Sequence, residues 1–245
     1  MPYILSPHIH PNLPGLWGEG SPYSRDTVYD INSNDPAQPP VNYQSHLLKP
    51  HSIPHIDAEG HITRGGKTVD AYYEQSACSC FYGKTVVVKL RDAAWEQTDL
   101  GGATHTWCVS ASQLQAALTR VLGHSEMPDK LFISAEDAPY NSDGFHDPAH
   151  VLVLNEDAAK WLVSNPNFNA FGTSWKSSDF MPNSHERPIH KTLLPQAVLF
   201  ECLKLDHVPE GIYWLTGFPL LLQGASESPL TPVLFEMEEL VGVTK

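Results

Sequence analysis

The sequence predicts an α/β domain built on a mixed β-sheet with a few flanking helices. Three observations carry that prediction. Short β-branched or aromatic segments bounded by turn residues recur through the second two thirds of the chain. Helical periodicity appears in only two segments between them. No composition break, internal repeat or low-complexity linker divides the 245 residues, so the whole chain, 1–245, reads as one domain.

The elements follow in order. Residues 1–50 are rich in Pro, Asn, Ser and Gly and have little periodicity; they read as loop with room for one strand or hairpin. "KTVVVKL" (Lys84–Leu90) is β-branched, short and preceded by Gly83, which makes it a strand. "SASQLQAALTRVLGH" opens on a capping box, Ser110 with Gln113. Its Leu114, Ala117, Leu118, Val121 and Leu122 fall at helical spacing, and Gly123 sits where a helix stops. "KLFIS" and "HVLVL" follow as strands, and Asn155 caps a short helix through "EDAAKWLV". "FNAFG", "AVLFECLKL", "IYWLTGF" and "PVLFE" complete the strand set.

Composition narrows the function. An apolar fraction of 41% suffices for a substantial core. A net charge of −13 argues against nucleic acid or an anionic membrane as partner, since both need a basic face. The longest apolar runs, such as "GFPLLLQG", are strand-sized, so no transmembrane span is expected. "MPYILSPHIHPN" lacks a basic region followed by an apolar one, so no signal peptide is expected either. Cys78, Cys80, Cys108 and Cys202 are too sparse for a disulfide framework, and a reducing cytoplasm is the expected compartment.

The compositional oddity is 13 histidines, concentrated early. "HSIPHIDAEGH" holds His51, His55, Asp57, Glu59 and His61. In an extended strand these odd-numbered residues share a face, yet His51 and Asp57 would stand roughly 20 Å apart, too far for one ion. A helix would stack His51 over His55, but Pro54 opposes it. A chain bent at Pro50, Pro54 and Gly60 could instead converge two imidazoles and a carboxylate, a nitrogen–oxygen set suited to zinc or another divalent metal. A solvated histidine-rich loop has the same composition, and a second source of ligands separates the two. Glu201 is a carboxylate on the otherwise apolar face Ala197, Leu199, Leu203, Leu205, costly to bury ionised without a metal or a paired arginine. His190 precedes it by eleven residues, at the end of an irregular stretch.

These residues resemble the metal-dependent cyclase-like hydrolases, of which bacterial kynurenine formamidase and isatin hydrolase are members. Their signature HxGTHxDxPxH is similar to His51–His61. "LWGEGSP" resembles the family's early substrate loop, "HKTLLPQAVLFECL" its later His/Glu element, and "GFPLLLQGASESPLTPV" its C-terminal segment. The resemblance implies a barrel-like mixed sheet, usually in dimers or tetramers, and a small-molecule amide, formamide or cyclic amide as substrate. It makes His51, His55 and Asp57 ligands of a first divalent ion, zinc in preference to manganese. Asp57 would bridge to a second ion held by His190 and Glu201. His61 takes the place of the general acid/base, and Trp17 falls in the loop that packs on substrate. The departures are Ile53-Pro54 for the family's Gly-Thr, Glu59 for its proline, and Glu227 and Thr231 for a late Gly and Arg. They bear on the substrate surroundings. They also motivate an alternative, a metal-stabilised binding protein without catalysis; a lyase or dehydratase would use the same ligands.

Other candidates carry less. His8 and His10 read as solvated or structural, Cys78 and Cys80 as small buried hydrophobes, and His105 with Cys108 as a pair lacking any orienting motif. "GGATH" is a glycine turn rather than a phosphate loop. Trp95, Trp107 and Trp175 read as core.

Overall fold

A computed structural model describes residues 1–91, 95–100, 103–124, 126–141, 144, 146–179 and 184–241. The strands are β1 (Tyr3–Ile4), β2 (Tyr23–Tyr29), β3 (Tyr43–Leu48), β4 (His55–Asp57), β5 (Tyr82–Leu90), β6 (Glu96–Leu100), β7 (Ala103–Val109), β8 (Lys130–Ala135), β9 (His150–Leu154), β10 (Ala170–Thr173), β11 (Val198–Glu201), β12 (Gly211–Thr216), β13 (Glu227–Pro229) and β14 (Val233–Glu236). The helices are α1 (Ala111–Leu122), α2 (Glu156–Val163), α3 (Pro188–Leu193) and α4 (Met237–Val241).

Nine strands form one curled, half-barrel sheet in the order β1-β14-β12-β5-β8-β10-β11-β4-β13. Its centre, β5-β8-β10-β11, is parallel. Each parallel step needs a long crossover, and α1, α2 and α3 lie in the three crossovers. The outer strands pair antiparallel. Two smaller sheets stand apart: the β2–β3 hairpin, and β6-β7-β9.

Both faces of the central strands are apolar, which explains why "VVV" runs without alternation. Val86 and Val88 enter the helix-side core with Leu114, Leu118 and Leu162, while Val87 enters the opposite core with Phe132, Phe200 and Leu215. Gly172 on β10 is required by close packing: a β-carbon there would lie 2.3 Å from the Phe132 ring.

The helix termini follow their sequence signals. Gln113 N–H donates to the Ser110 hydroxyl, and Ser110 N–H donates to Gln113 Oε1 at 2.9 Å. Gly123 ends α1 at φ 73°. The Asn155 side chain accepts from Ala158 N–H at 2.7 Å and starts α2.

Two expectations are corrected. The strand expected over "AVLFECLKL" stops at Glu201, because Cys202 adopts φ 59° and turns the chain. Leu203 and Leu205 therefore join the opposite core instead of continuing the Glu201 face. His190, expected at the end of an irregular stretch, lies inside the short helix α3, which starts at Pro188, where a missing N–H costs nothing. Among the described residues, no helix is long and apolar enough to cross a membrane.

Candidate metal centre

β4 is the pivot of the site. Alternation sends Ile56 into the core and turns His55 and Asp57 to the other face. β11 pairs with β4 so that Glu201 lies opposite His55, at the carboxyl end of a central parallel strand. On the other side β13 places Glu227 opposite Asp57. His51 arrives from a one-turn 3₁₀ helix, Pro50–Ser52, and His61 from another, Glu59–His61. His190 comes from α3.

The bends bring the histidine-rich segment together. His51 Nδ1 lies 3.1 Å from His55 Nε2 and 3.9 Å from Asp57 Oδ1. His55 Nε2 is 3.6 Å from Asp57 Oδ1 and 3.9 Å from Glu201 Oε2. On the other side of the same carboxylate, Asp57 Oδ2 is 3.6 Å from His190 Nε2 and 4.0 Å from His61 Nε2. His190 Nε2 is also 3.6 Å from Glu201 Oε1. All five residues expected as ligands, with His61, therefore gather at one place. Asp57 sits between two groups, one oxygen toward His51 and His55, the other toward His61 and His190.

Two histidine rings are fixed in orientation by a bond at Nδ1. A carbonyl can only accept, so His55 Nδ1 donates to Ile53 O at 2.8 Å and Nε2 faces the cluster as a lone pair. His190 Nδ1 is bonded to Asp179 Oδ2 at 2.6 Å, which likewise turns Nε2 inward. Burial pulls His55 down to about 4, against the attraction of Asp57. Burial also opposes charge on His190, but the hydrogen bond with Asp179, then the Asp57 carboxylate 3.6 Å from Nε2, raises it to about 10. For His61 the Glu227 carboxylate, 3.8 Å from Nδ1, outweighs burial and raises the pKa. Burial raises the Glu201 carboxyl.

A cation fits this donor set. Asp57 is 1% exposed, and neither of its oxygens has a hydrogen-bond donor among the described residues. A carboxylate so placed carries a desolvation penalty of several kcal/mol that a cation offsets. Candidate ligand atoms of His51, His55 and Asp57 lie within 4.8 Å of one another, as do those of Asp57, His61 and His190. Imidazole nitrogens with carboxylate oxygens are the donors of zinc and related divalent ions.

Sequence reasoning missed the residues that support these. After β10 the chain runs Lys176-Ser177-Ser178-Asp179, all at most 7% exposed. Ser178 donates to Glu201 Oε1 from its backbone N–H at 2.7 Å and from its hydroxyl at 2.9 Å. Asp179 accepts from the backbone N–H of Ile189 and of His190, each at 3.0 Å, besides holding the His190 ring. The available signal was a run of polar residues at the carboxyl end of a predicted core strand, where α/β sheets place ligand sites. Glu227 was seen only as a departure. Asp179→Ala is expected to weaken metal affinity about 10–100-fold by releasing the His190 ring; competition against a calibrated chelator measures it.

Trp17 lies at the rim of the same cavity. Its indole N–H donates to His51 O at 3.0 Å, fixing the ring beside His51. The cavity, about 340 Å³, is also lined by His51, Asp57, His61, His190 and Glu201. His105 and Cys108 are three apart on β7, so alternation points them to opposite faces. Cys80 is buried, and His8 is exposed.

A half-barrel sheet with a buried histidine–carboxylate cluster at the carboxyl end of its parallel strands defines the class. The chain belongs to the cyclase family: the model described as "Putative cyclase" matches residues 5–179. Cyclase-like protein 1 of Oryza sativa subsp. japonica is 24% identical over 186 residues, 76% of this chain and 62% of that protein, so the chain spans about three fifths of its length. Cyclase-like protein 3 of Arabidopsis thaliana is 26% identical over 245 residues, covering 96% of this chain and 79% of the relative. Isatin hydrolase A from Labrenzia aggregata, solved with benzyl benzoate bound, superposes with a TM-score of 0.69 at 19% identity, covering 96% of this chain and 93% of that one. That likeness shows the fold.

Proposed function

We propose that this protein is a metal-dependent hydrolase that cleaves a carbon–nitrogen bond in a small amide, formamide or cyclic amide. The observation that carries the reading is Asp57: a buried carboxylate with no hydrogen-bond donor among the described residues, ringed by His51, His55, His61 and His190 in a cavity open to solvent. The His51, His55, Asp57, His190 and Glu201 set would hold one or two divalent ions, zinc in preference to manganese. When bound, such an ion lowers the pKa of water toward ~7 and polarises a carbonyl.

The chain's own groups do the rest. Asp57 and Glu201 supply the negative charge that retains cations. His61 takes a proton from water at Nε2 and delivers it to the leaving nitrogen. Glu227 beside Nδ1 favours the protonated intermediate state of that ring. Trp17, clamped to the His51 carbonyl, offers a flat apolar surface to the substrate. The open cavity and the partial exposure of His51 and His61 favour this reading over a closed, non-catalytic metal site. The reading extends to a cytoplasmic homodimer or homotetramer acting on a small molecule, without nucleic-acid or membrane partners.

The test is metal analysis of the purified protein followed by assay against formamides, lactams and imides. Turnover should appear in the loaded protein and vanish on chelation. A fully loaded protein that hydrolyses none of the three classes would sink the proposal.

A further inference from the structure

The loop that presents Trp17 to the cavity is rich in glycine and packs little of its own surface. Leu16 packs against Leu13, Ile53 and Cys202, whereas Trp17 keeps 42% of its surface exposed. Gly15 lets the loop close: a β-carbon there would lie 2.1 Å from Gly20 O. Gly18, between Trp17 and Glu19, takes φ 79°. Glycine backbone has many conformations open to it, and ordering it costs entropy. Side-chain bonds must therefore select the conformation in which the indole meets the cavity.

Glu19 supplies those bonds with both of its oxygens. Oε2 accepts from Trp17 N–H at 2.8 Å, and Oε1 accepts from the Ser52 hydroxyl. The Ser52 oxygen in turn accepts from Leu16 N–H at 2.8 Å, and the Lys49 ammonium donates to Glu19 O. Ser52 is 1% exposed, which makes its hydroxyl a fixed anchor. Lys49 caps and Ser52 ends the one-turn helix that carries His51, and the His51 carbonyl accepts from the Trp17 indole. The loop before the ring is also held by Lys176, which donates to Leu16 O at 2.9 Å; beyond the ring the tie to the helix is Glu19. A carboxylate suits this place because it accepts on both sides at once and its bonds are charge-assisted. Lys49 and Lys176 add their attraction for it.

We propose that Glu19 is the positioning residue of the Trp17 ring: by bridging Trp17 N–H and the Ser52 hydroxyl it sets the indole's height over the cavity relative to the segment that bears His51, and so the space left for a flat substrate. Its consequence for turnover rests on the hydrolase reading above; its hold on the ring does not.

Two readouts on metal-loaded protein test this. Acrylamide quenching, assigned to Trp17 by difference from the matching Trp17→Phe protein, reads the ring directly; in Glu19→Ala it should rise toward that of a free tryptophan. Formanilide kinetics read the consequence. Glu19→Ala should raise KM about 2–10-fold, the scale of one aromatic contact, with a smaller change in kcat. Trp17→Ala should raise KM by a similar factor, and the double variant by no more than either, because Glu19 acts through the ring. Glu19→Gln keeps the length and one acceptor oxygen and should recover part of both readouts. Ser52→Ala breaks the same bridge from its other end and should shift the quenching in the same direction, which covers a Glu19→Ala protein that does not fold. A folded Glu19→Ala whose melting temperature falls while Trp17 quenching stays at the wild-type level makes Glu19 merely structural and overturns the proposal. KM factors that multiply in the double variant place the action of Glu19 elsewhere and overturn it too. If none of the proteins turns formanilide over, quenching alone decides, so the hydrolase reading can fail on this substrate while the positioning role stands.

Discussion

Asp57→Asn is expected to abolish ion binding at the cluster and to reduce hydrolysis about 10³-fold or more, the scale of a lost metal-ion contribution of several kcal/mol. The reason is position. Asp57 faces His51 and His55 through one oxygen and His61 and His190 through the other. An amide keeps the shape but removes the charge and aims N–H groups at the imidazole lone pairs. Stability should diverge from activity. At free metal about 100 times Kd, one ion adds about 2.7 kcal/mol to the wild type, or roughly 5–11 °C in Tm for a chain of this length. Chelation should remove that increment from the wild type and nothing from the variant. The metal-free variant should melt no lower than the metal-free wild type, because it no longer buries two neighbouring carboxylates, Asp57 at 1% and Glu201 at 2% exposure. Retention of metal by Asp57→Asn at wild-type stoichiometry would remove the cluster as the metal site. So would a wild-type melting curve indifferent to chelator after verified metal loss.

Where the fold was legible, the signals were local. The β-branched run Lys84–Leu90, the capping box of Ser110 and Gln113, and the stop at Gly123 each act within a few residues, and each element forms where those signals lie. Where it was not legible, tertiary pairing decides. β4 is three residues long and β13 contains Pro229; neither has a pattern of its own, and they exist because β4 pairs with β11 and β13 with β4 at the sheet's end. The turn at Cys202 has no glycine to announce it.

The site divides in the same way. The spacing of His51, His55, Asp57 and His61 demanded a bend, and the prolines supplied it; Glu201 stood out as a charge on an apolar strand. Those are properties of single segments. Ser178 and Asp179 act on residues 23 and 11 positions away, across a crossover whose geometry no local pattern contains. Glu227 reaches His61 only because β13 runs antiparallel to β4. Read as a replacement for a family glycine it looked like a loss, whereas its position beside His61 Nδ1 gives the ring a carboxylate partner.

That partner sharpens the expectation for His61 itself. His61→Ala should lower kcat by about 10²–10⁴-fold while metal content stays near that of the wild type. Its Nε2 stands 4.0 Å from Asp57 Oδ2, and His51, His55 and His190 stand nearer the same carboxylate, so the ring is adjacent to the cluster without being needed to complete it. At 21% side-chain exposure it also borders the cavity, where a proton can be exchanged with substrate. Glu227→Gln should act through the same ring. The carboxylate raises the His61 pKa; removing its charge lowers it, so the unprotonated base persists to lower pH and the acid limb of kcat/KM should move down in pH. If His61→Ala loses metal in proportion to activity, His61 is a ligand. If it keeps both, the ring is a bystander. Metal stoichiometry and turnover measured on one preparation distinguish these outcomes, and an acid limb unmoved by Glu227→Gln would assign the titrating base to another group.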